Sequence, residues 1–146
     1  MITIAEIFPV FERITSMLRN PNVLLLCSDA KQAVVLREIL SEHAVLTPAG
    51  NLSELTALLE SSFYDAVFCA WSFHRGNWND ALLEARRLHP DLPVIIFSST
   101  AGEEEWTRVL EAGAFDLLAP PYQKRAVLSA LEQATASYEA RLLRYK

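Results

Sequence analysis

Polar and apolar positions along this chain fall into two alternating patterns. The clearest stretch is Tyr64 to Phe73, YDAVFCAWSF. There a polar turn feeds the apolar run Ala66, Val67, Phe68, Cys69 and Ala70, and the chain then breaks into a loop of Trp, Ser, Phe, His, Arg and Gly. A run apolar on both faces and too short for a helix is expected to be a central strand covered on both sides. VLLLCSD (Val23–Asp29) and LPVIIFSS (Leu92–Ser99) share that character, and Val45–Thr47 and Phe115–Ala119 give two shorter strands.

Between these runs the apolar residues recur at helical spacing. Ala30–Ser41 carries Val34, Val35, Leu36, Ile39 and Leu40, and Leu52–Ser61 turns Leu55, Leu58 and Leu59 inward. Trp78–Leu88 ends on the basic pair Arg86-Arg87, and Glu103, Glu104 and Glu105 open the next helix, so each set of charges suits the dipole at its end. Gly113 is a natural left-handed stop for that helix, and Pro120-Pro121 precedes a last helix from about Lys124 to Tyr145. At the other end, Thr3 and Glu6 could form a capping box, but Pro9 lacks the amide that a helix interior needs. A helix from near Pro9 to Asn20 is therefore expected, with Ile7, Phe11, Ile14 and Leu18 on one stripe.

Strands alternating with helices through short connections predict an α/β fold: a doubly wound five-stranded parallel sheet with helices on both faces. The right-handed crossover rule leaves few arrangements, and in such sheets ligands sit at the carboxyl ends of the strands. The expected organisation is an N-terminal helical extension over 1–21 and one domain over 22–146 with an extended last helix. No internal repeat, low-complexity tract or linker interrupts it.

Composition narrows the function classes. The 146 residues carry a net charge of −5, which disfavours a nucleic-acid or anionic-membrane surface, and Lys31 and Lys124 stand apart instead of forming a basic patch. Cys27 and Cys69 both fall in predicted strands, the usual place for small buried thiols in a reducing compartment. The N-terminus has no basic leader, and no apolar run approaches the roughly 20 residues needed to cross a bilayer, so the expected location is the cytoplasm.

From about Asn22 to Thr135 the sequence resembles the receiver domain of bacterial two-component response regulators, a flavodoxin-like fold of strand order 2-1-3-4-5. VLLLCSDAKQAVVLREIL is similar to the family's first strand and helix, and YDAVFCAW to the strand that bears the phosphorylated aspartate. LPVIIFSS is similar to the fourth strand, and EAGAFDLLAPPY to the fifth with its Lys-Pro turn. The resemblance implies phosphoryl transfer onto an aspartate. Two acids ending strand 1 and the acceptor carboxylate hold magnesium there, while a hydroxyl ending strand 4 and a lysine ending strand 5 contact the phosphoryl oxygens. Hard oxygen ligands suit that ion, and its charge offsets the charge that develops in transfer.

In this chain the acid pair falls on Cys27 and Ser28, the acceptor on Ala70 and the lysine on Pro120; only the hydroxyl, Ser98, survives. Asp29 is one carboxylate a residue further on, and Ser72 is a hydroxyl with only His74 nearby to activate it. The loss also relieves strain, since two carboxylates about 5 Å apart repel by roughly 3 kcal/mol at an effective dielectric near 20. The family's switch pairs the strand-4 hydroxyl with an aromatic ring on strand 5, where this chain has Leu117. In the family the bond before that turn's proline is cis, which Pro120-Pro121 permits.

These substitutions lead to the expectation of an atypical, phosphorylation-independent receiver that signals through protein contacts, with no cofactor and no magnesium. The partner is another protein or a second copy in a homodimer, and neither nucleic acid nor membrane is bound directly. The contact helix is the last one, whose stripe Val127, Leu131, Ala134, Tyr138, Leu142 and Tyr145 runs past the sheet. In the other reading of that stripe, the N-terminal helix packs on it within one chain. A second functional class is ligand or redox sensing in the old phosphate pocket around Cys27, Ser28, Trp71 and Ser98, with Phe73, His74 and Trp78 nearby. Alternation along the strand, however, should point Cys69 away from the pocket that Ala70 faces. An enzyme has least support: there is no Gly-rich phosphate loop, no metal-ligand spacing and no serine elbow, and His43, His74 and His89 are scattered.

Overall fold

A computed structural model describes residues 20–143 apart from 101. The expected N-terminal helix, with Ile7, Phe11, Ile14 and Leu18, lies outside the described residues, as does Tyr145. The elements are β1 (Asn22–Leu26), α1 (Ala30–Ser41), β2 (Val45–Ala49), α2 (Leu52–Ser61), β3 (Ala66–Ala70) and a hairpin of β4 (Ser72–Phe73) with β5 (Gly76–Asn77). They continue with α3 (Trp78–Leu88), β6 (Val94–Phe97), α4 (Glu103–Glu111), β7 (Asp116–Leu118) and α5 (Lys124–Leu143).

Five strands form one sheet in the order β2-β1-β3-β6-β7, every pairing parallel. This is the expected 2-1-3-4-5 order, with the hairpin interposed in the numbering. The central run is a strand buried along its whole length, as its unbroken apolar character requires. Side-chain alternation divides the core in two. One side joins Leu24, Leu26, Val67, Cys69 and Ile96 to α2, α3 and α4 through Leu55, Leu59, Trp78, Leu82 and Val109. The other joins Val23, Leu25, Phe68, Ala70, Ile95 and Phe97 to α1 and α5 through Leu36, Leu40, Val127, Leu131 and Ala134.

The helix ends follow from their sequences. Asp29 caps α1 by accepting the Lys31 amide at 3.0 Å, and Asn51 caps α2 by accepting the Glu54 amide at 2.9 Å. Asn77 and Asp80 form a reciprocal capping box at the start of α3. Gly113, φ 105, ends α4 as its sequence suggested.

Three expectations need correction. First, β1 stops at Leu26, because Cys27 to Asp29 turn away to cap α1, so Cys27 sits just beyond the strand. Second, Val34 and Val35 are each 47% exposed, and α1 buries Ala33, Leu36 and Leu40 instead. A helix has one inward stripe, and the run of adjacent valines cannot all share it. Third, residues 72–77 form a hairpin, described below, where an open loop was expected.

Candidate functional site

The parallel strands deliver four chain segments to one edge of the sheet. Register sets Leu26 beside Cys69, Cys69 beside Ile96 and Ile96 beside Leu117; one residue on, Ala70 pairs with Phe97 and Phe97 with Leu118. Cys27 therefore comes level with Ala70, and both pack into the core under α1 and α5, with Phe97 and Tyr122. Phe97 and Tyr122 meet edge to face with centroids 6.4 Å apart. The floor of this site is thus a methyl, a thiol and two rings, and Ala70 itself is 0% exposed.

The hydrogen-bonding groups around that floor are turned inward on the loops. The Ser28 hydroxyl accepts the His74 amide at 3.1 Å, which pins the β1–α1 loop to the hairpin. Ser98 is buried, and its hydroxyl accepts the Thr100 amide of its own turn at 3.3 Å while its amide donates to the Leu118 carbonyl. Asp29 is committed to the α1 cap. Pro120 is exposed, and the Pro120-Pro121 bond is cis. Leu117 is buried in the opposite core, among Ile96 and Val109.

The hairpin is the element the sequence reading missed. Ser72 pairs with Asn77 and Phe73 with Gly76, and a single parallel bridge joins His74 to Asn51 at the start of α2. Phe73 is buried across from Gly76, where any Cβ would come within 2.5 Å of its ring, so the glycine makes room for the aromatic. The turn carries Arg75 at φ 61, an uncommon setting for a residue with a side chain. Its local signal was the capping pair Asn77 and Asp80, which fixes where α3 begins and leaves only a short crossing behind it. Trp71 and Trp78 flank the hairpin with ring centroids 5.5 Å apart.

Trp71 packs against the α2–α4 core, whereas Cys27 packs against the α1–α5 core. The two cysteines lie on opposite faces of the sheet, as alternation foretold. Burial pushes the Cys69 thiol far above its ordinary value, and its hydrogen donates to the Ala70 carbonyl at 3.2 Å. Cys27, half-buried, is also raised, chiefly by burial, and its thiol donates to the Asp29 carbonyl at 3.0 Å.

Along α5, Val127, Leu131 and Ala134 of the expected contact stripe are buried in the domain's own core, joined by Ala130. Tyr138 leaves that core and packs against the other one, and Leu142 and Leu143 beyond it are 46% and 38% exposed. Lys124 binds Glu42 at 3.0 Å, tying α5 to the end of α1. Among the described residues no cluster of His, Cys, Asp and Glu could hold a metal ion, and no helix is long and apolar enough to cross a membrane.

No family model matches this sequence, and no curated protein matches it. Solved structures do match the fold. The signal receiver domain of an HD domain-containing protein from Pseudomonas fluorescens Pf-5 superposes with a TM-score of 0.73 at 22% identity, covering 84% of this chain and 99% of that one. The non-phosphorylated HemR receiver domain from Leptospira biflexa gives 0.67 at 26% identity, covering 80% and 94%. A structure of adenylate cyclase from Rhodopirellula baltica gives 0.74 at 18% identity, covering 87% and 96%. The chain has the fold of a response regulator receiver domain.

Proposed function

We propose that this chain is a receiver-type signalling module of the two-component kind that works by protein–protein contact, without accepting a phosphoryl group and without enzymatic activity. The observation that carries the proposal is the fully buried Ala70 at the carboxyl end of the central strand, with Cys27 level with it. Aspartyl phosphorylation needs a nucleophilic oxygen, a cation and a positive group against the transferred phosphoryl. By the resemblance, those places fall on a methyl, a thiol beside a pinned serine, and a pyrrolidine ring. Ser72 does not replace the acceptor, because it is paired with Asn77 in the hairpin and exposed.

The contact surface is the last part of α5, where Leu142 and Leu143 are exposed beyond the sheet, and the partner is another protein or a second copy of the chain. A net charge of −5 suits such a partner better than nucleic acid. The test is an NMR and thermal-shift titration with magnesium and beryllofluoride, a phosphoryl mimic. The expected result is no chemical-shift change at Ser98 or Leu117 and an unchanged melting temperature. A saturable shift at those residues, or an acyl-phosphate adduct recovered after treatment with a phosphodonor, overturns the proposal.

A further inference from the structure

A cleft of about 160 Å³ opens at the amino ends of β6 and β7, the opposite end of the sheet from Ala70 and Ser98. Arg86 lines it from α3 and Arg141 from α5. The loop from Pro90 to Pro93 and the stop of α4 at Gly113 complete the wall.

Gly113 sets the position of Arg86. A Cβ on residue 113 would fall inside the Arg86 guanidinium, so that group occupies the space any other side chain there would fill. The backbone has φ 105 as well, and glycine meets both demands. This contact places the guanidinium without using its donors. Among the described residues neither Arg86 nor Arg141 makes a hydrogen bond or an ion pair, whereas Arg87, one residue on, is bound to Glu84. Each guanidinium carries five N–H donors in a fork that matches the paired oxygens of a carboxylate or phosphate.

The rest of the lining narrows the anion. Asp91 lines the cleft too, so two cations stand against one carboxylate. Asp65 acts electrostatically on Tyr138, and Glu139 on Asp65, which adds negative charge around the same wall. That balance suits a ligand with a single negative charge and opposes a dianion or polyanion. Burial, then Asp65 and Asp91, raise the Tyr138 phenol, so it stays protonated and keeps an O–H to donate. Pro90, Phe115 and the Tyr138 ring supply apolar surface, and a cavity of about 150 Å³ is enough to hold benzene.

We infer that this cleft binds a small organic monocarboxylate, its carboxylate bridging Arg86 and Arg141 and its body lying against Pro90 and Phe115. A ligand that bridges α3 and α5 restrains the last turns of α5, which gives the contact surface beyond them a small-molecule input. This goes beyond the contact reading and does not depend on the absence of phosphoryl chemistry.

The experiment titrates the full chain with benzoate, with its neutral isostere benzamide and with inorganic phosphate, following arginine Nε–H and backbone amide signals by NMR. The expected result is a saturable shift at Arg86, Arg141 and Gly113 with benzoate and none with benzamide. Arg86→Gln and Arg141→Gln should each weaken benzoate about tenfold or more, as one charge-assisted hydrogen bond is lost. Arg87→Gln, outside the cleft, should leave binding unchanged, and Asp91→Asn should tighten it. Shifts that fail to saturate, that follow benzamide equally or that survive loss of either cleft arginine overturn the inference, as does phosphate bound more tightly than benzoate. The beryllofluoride titration is read at Ser98 and Leu117 instead, so either idea can fail without the other.

Discussion

Returning a carboxylate to the acceptor position tests whether the site has lost one residue or its whole environment. Ala70 is 0% exposed, packed with Cys27, Phe68, Phe97 and Tyr122 in the α1–α5 core. In Ala70→Asp the introduced carboxylate meets no cation: the lysine position is Pro120, Asp29 adds negative charge on the neighbouring loop, and Lys124 is engaged with Glu42. Burial of this kind raises a carboxyl pKa by about 3 units, and at 1.36 kcal/mol per unit that is about 4 kcal/mol lost at pH 7. The folded state then holds the proton to higher pH than the unfolded state. The penalty is small near pH 4, grows as pH rises through the window between the two pKa values, and levels off above it. Chemical denaturation at pH 4.0, 5.5 and 7.5, comparing variant with parent, reads this directly; those values are roughly chosen to bracket the window. A variant as stable as the parent at the highest pH, with the carboxylate phosphorylated by a small-molecule donor, would refute the argument that the surroundings themselves exclude the chemistry.

Three further outcomes follow from the geometry. Ser28→Ala removes the acceptor for the His74 amide, so the His74 amide should exchange faster while global stability falls by about 1 kcal/mol or less; hydrogen exchange and a denaturation curve check both. Asp65 has its pKa raised, first by burial and then by Glu139, against the lowering effect of the Asn22 amide. Because the folded form binds that proton more tightly, Asp65→Asn should match the parent below about pH 4 and gain stability relative to it as pH rises through the raised value. Thiol titration of the native protein should find Cys27 slow and Cys69 unreactive, with both reacting at once in denaturant, since burial raises both thiols and Cys69 is enclosed; a fast native Cys69 would contradict the packing.

The sheet was legible in the sequence because each buried strand is an apolar run bounded by polar turns, and α2 was placed at Leu52–Ser61 by its apolar spacing alone. Strand register sets Ala70 beside Phe97 and Ile96 beside Leu117, an alignment of strand ends that the run lengths imply. The hairpin was not legible. Its strands are two residues each, too short for alternation to register, and its turn is held by Arg75 in a left-handed setting that sequence habit reserves for glycine or asparagine. The exposure of Val34 and Val35 was equally hidden, because adjacent β-branched residues satisfy a helical pattern on either side of it. Tyr138 was placed on the right stripe, but its move to the second core depends on where α5 passes the ends of β6 and β7, a tertiary fact with no local signal.

A switch moves only if something binds its two states unequally. In a receiver with its acids in place, the ion and the phosphoryl group supply that difference at the strand ends, and the cost of crowding carboxylates there is part of what they relieve. In this chain the same edge is packed differently: the Ser28 hydroxyl holds the hairpin, Phe73 fills the space over Gly76, and Trp71 lies against Trp78. That edge keeps Asp29 but not a crowded set of carboxylates for an ion to relieve, so under the proposed function the unequal binding arises elsewhere. Large apolar side chains remain exposed at several places, Phe63, Leu83 and Trp106 among them, besides Leu142 and Leu143 at the end of α5. A partner that binds one of these surfaces moves the equilibrium only as far as its differential affinity for the two states allows.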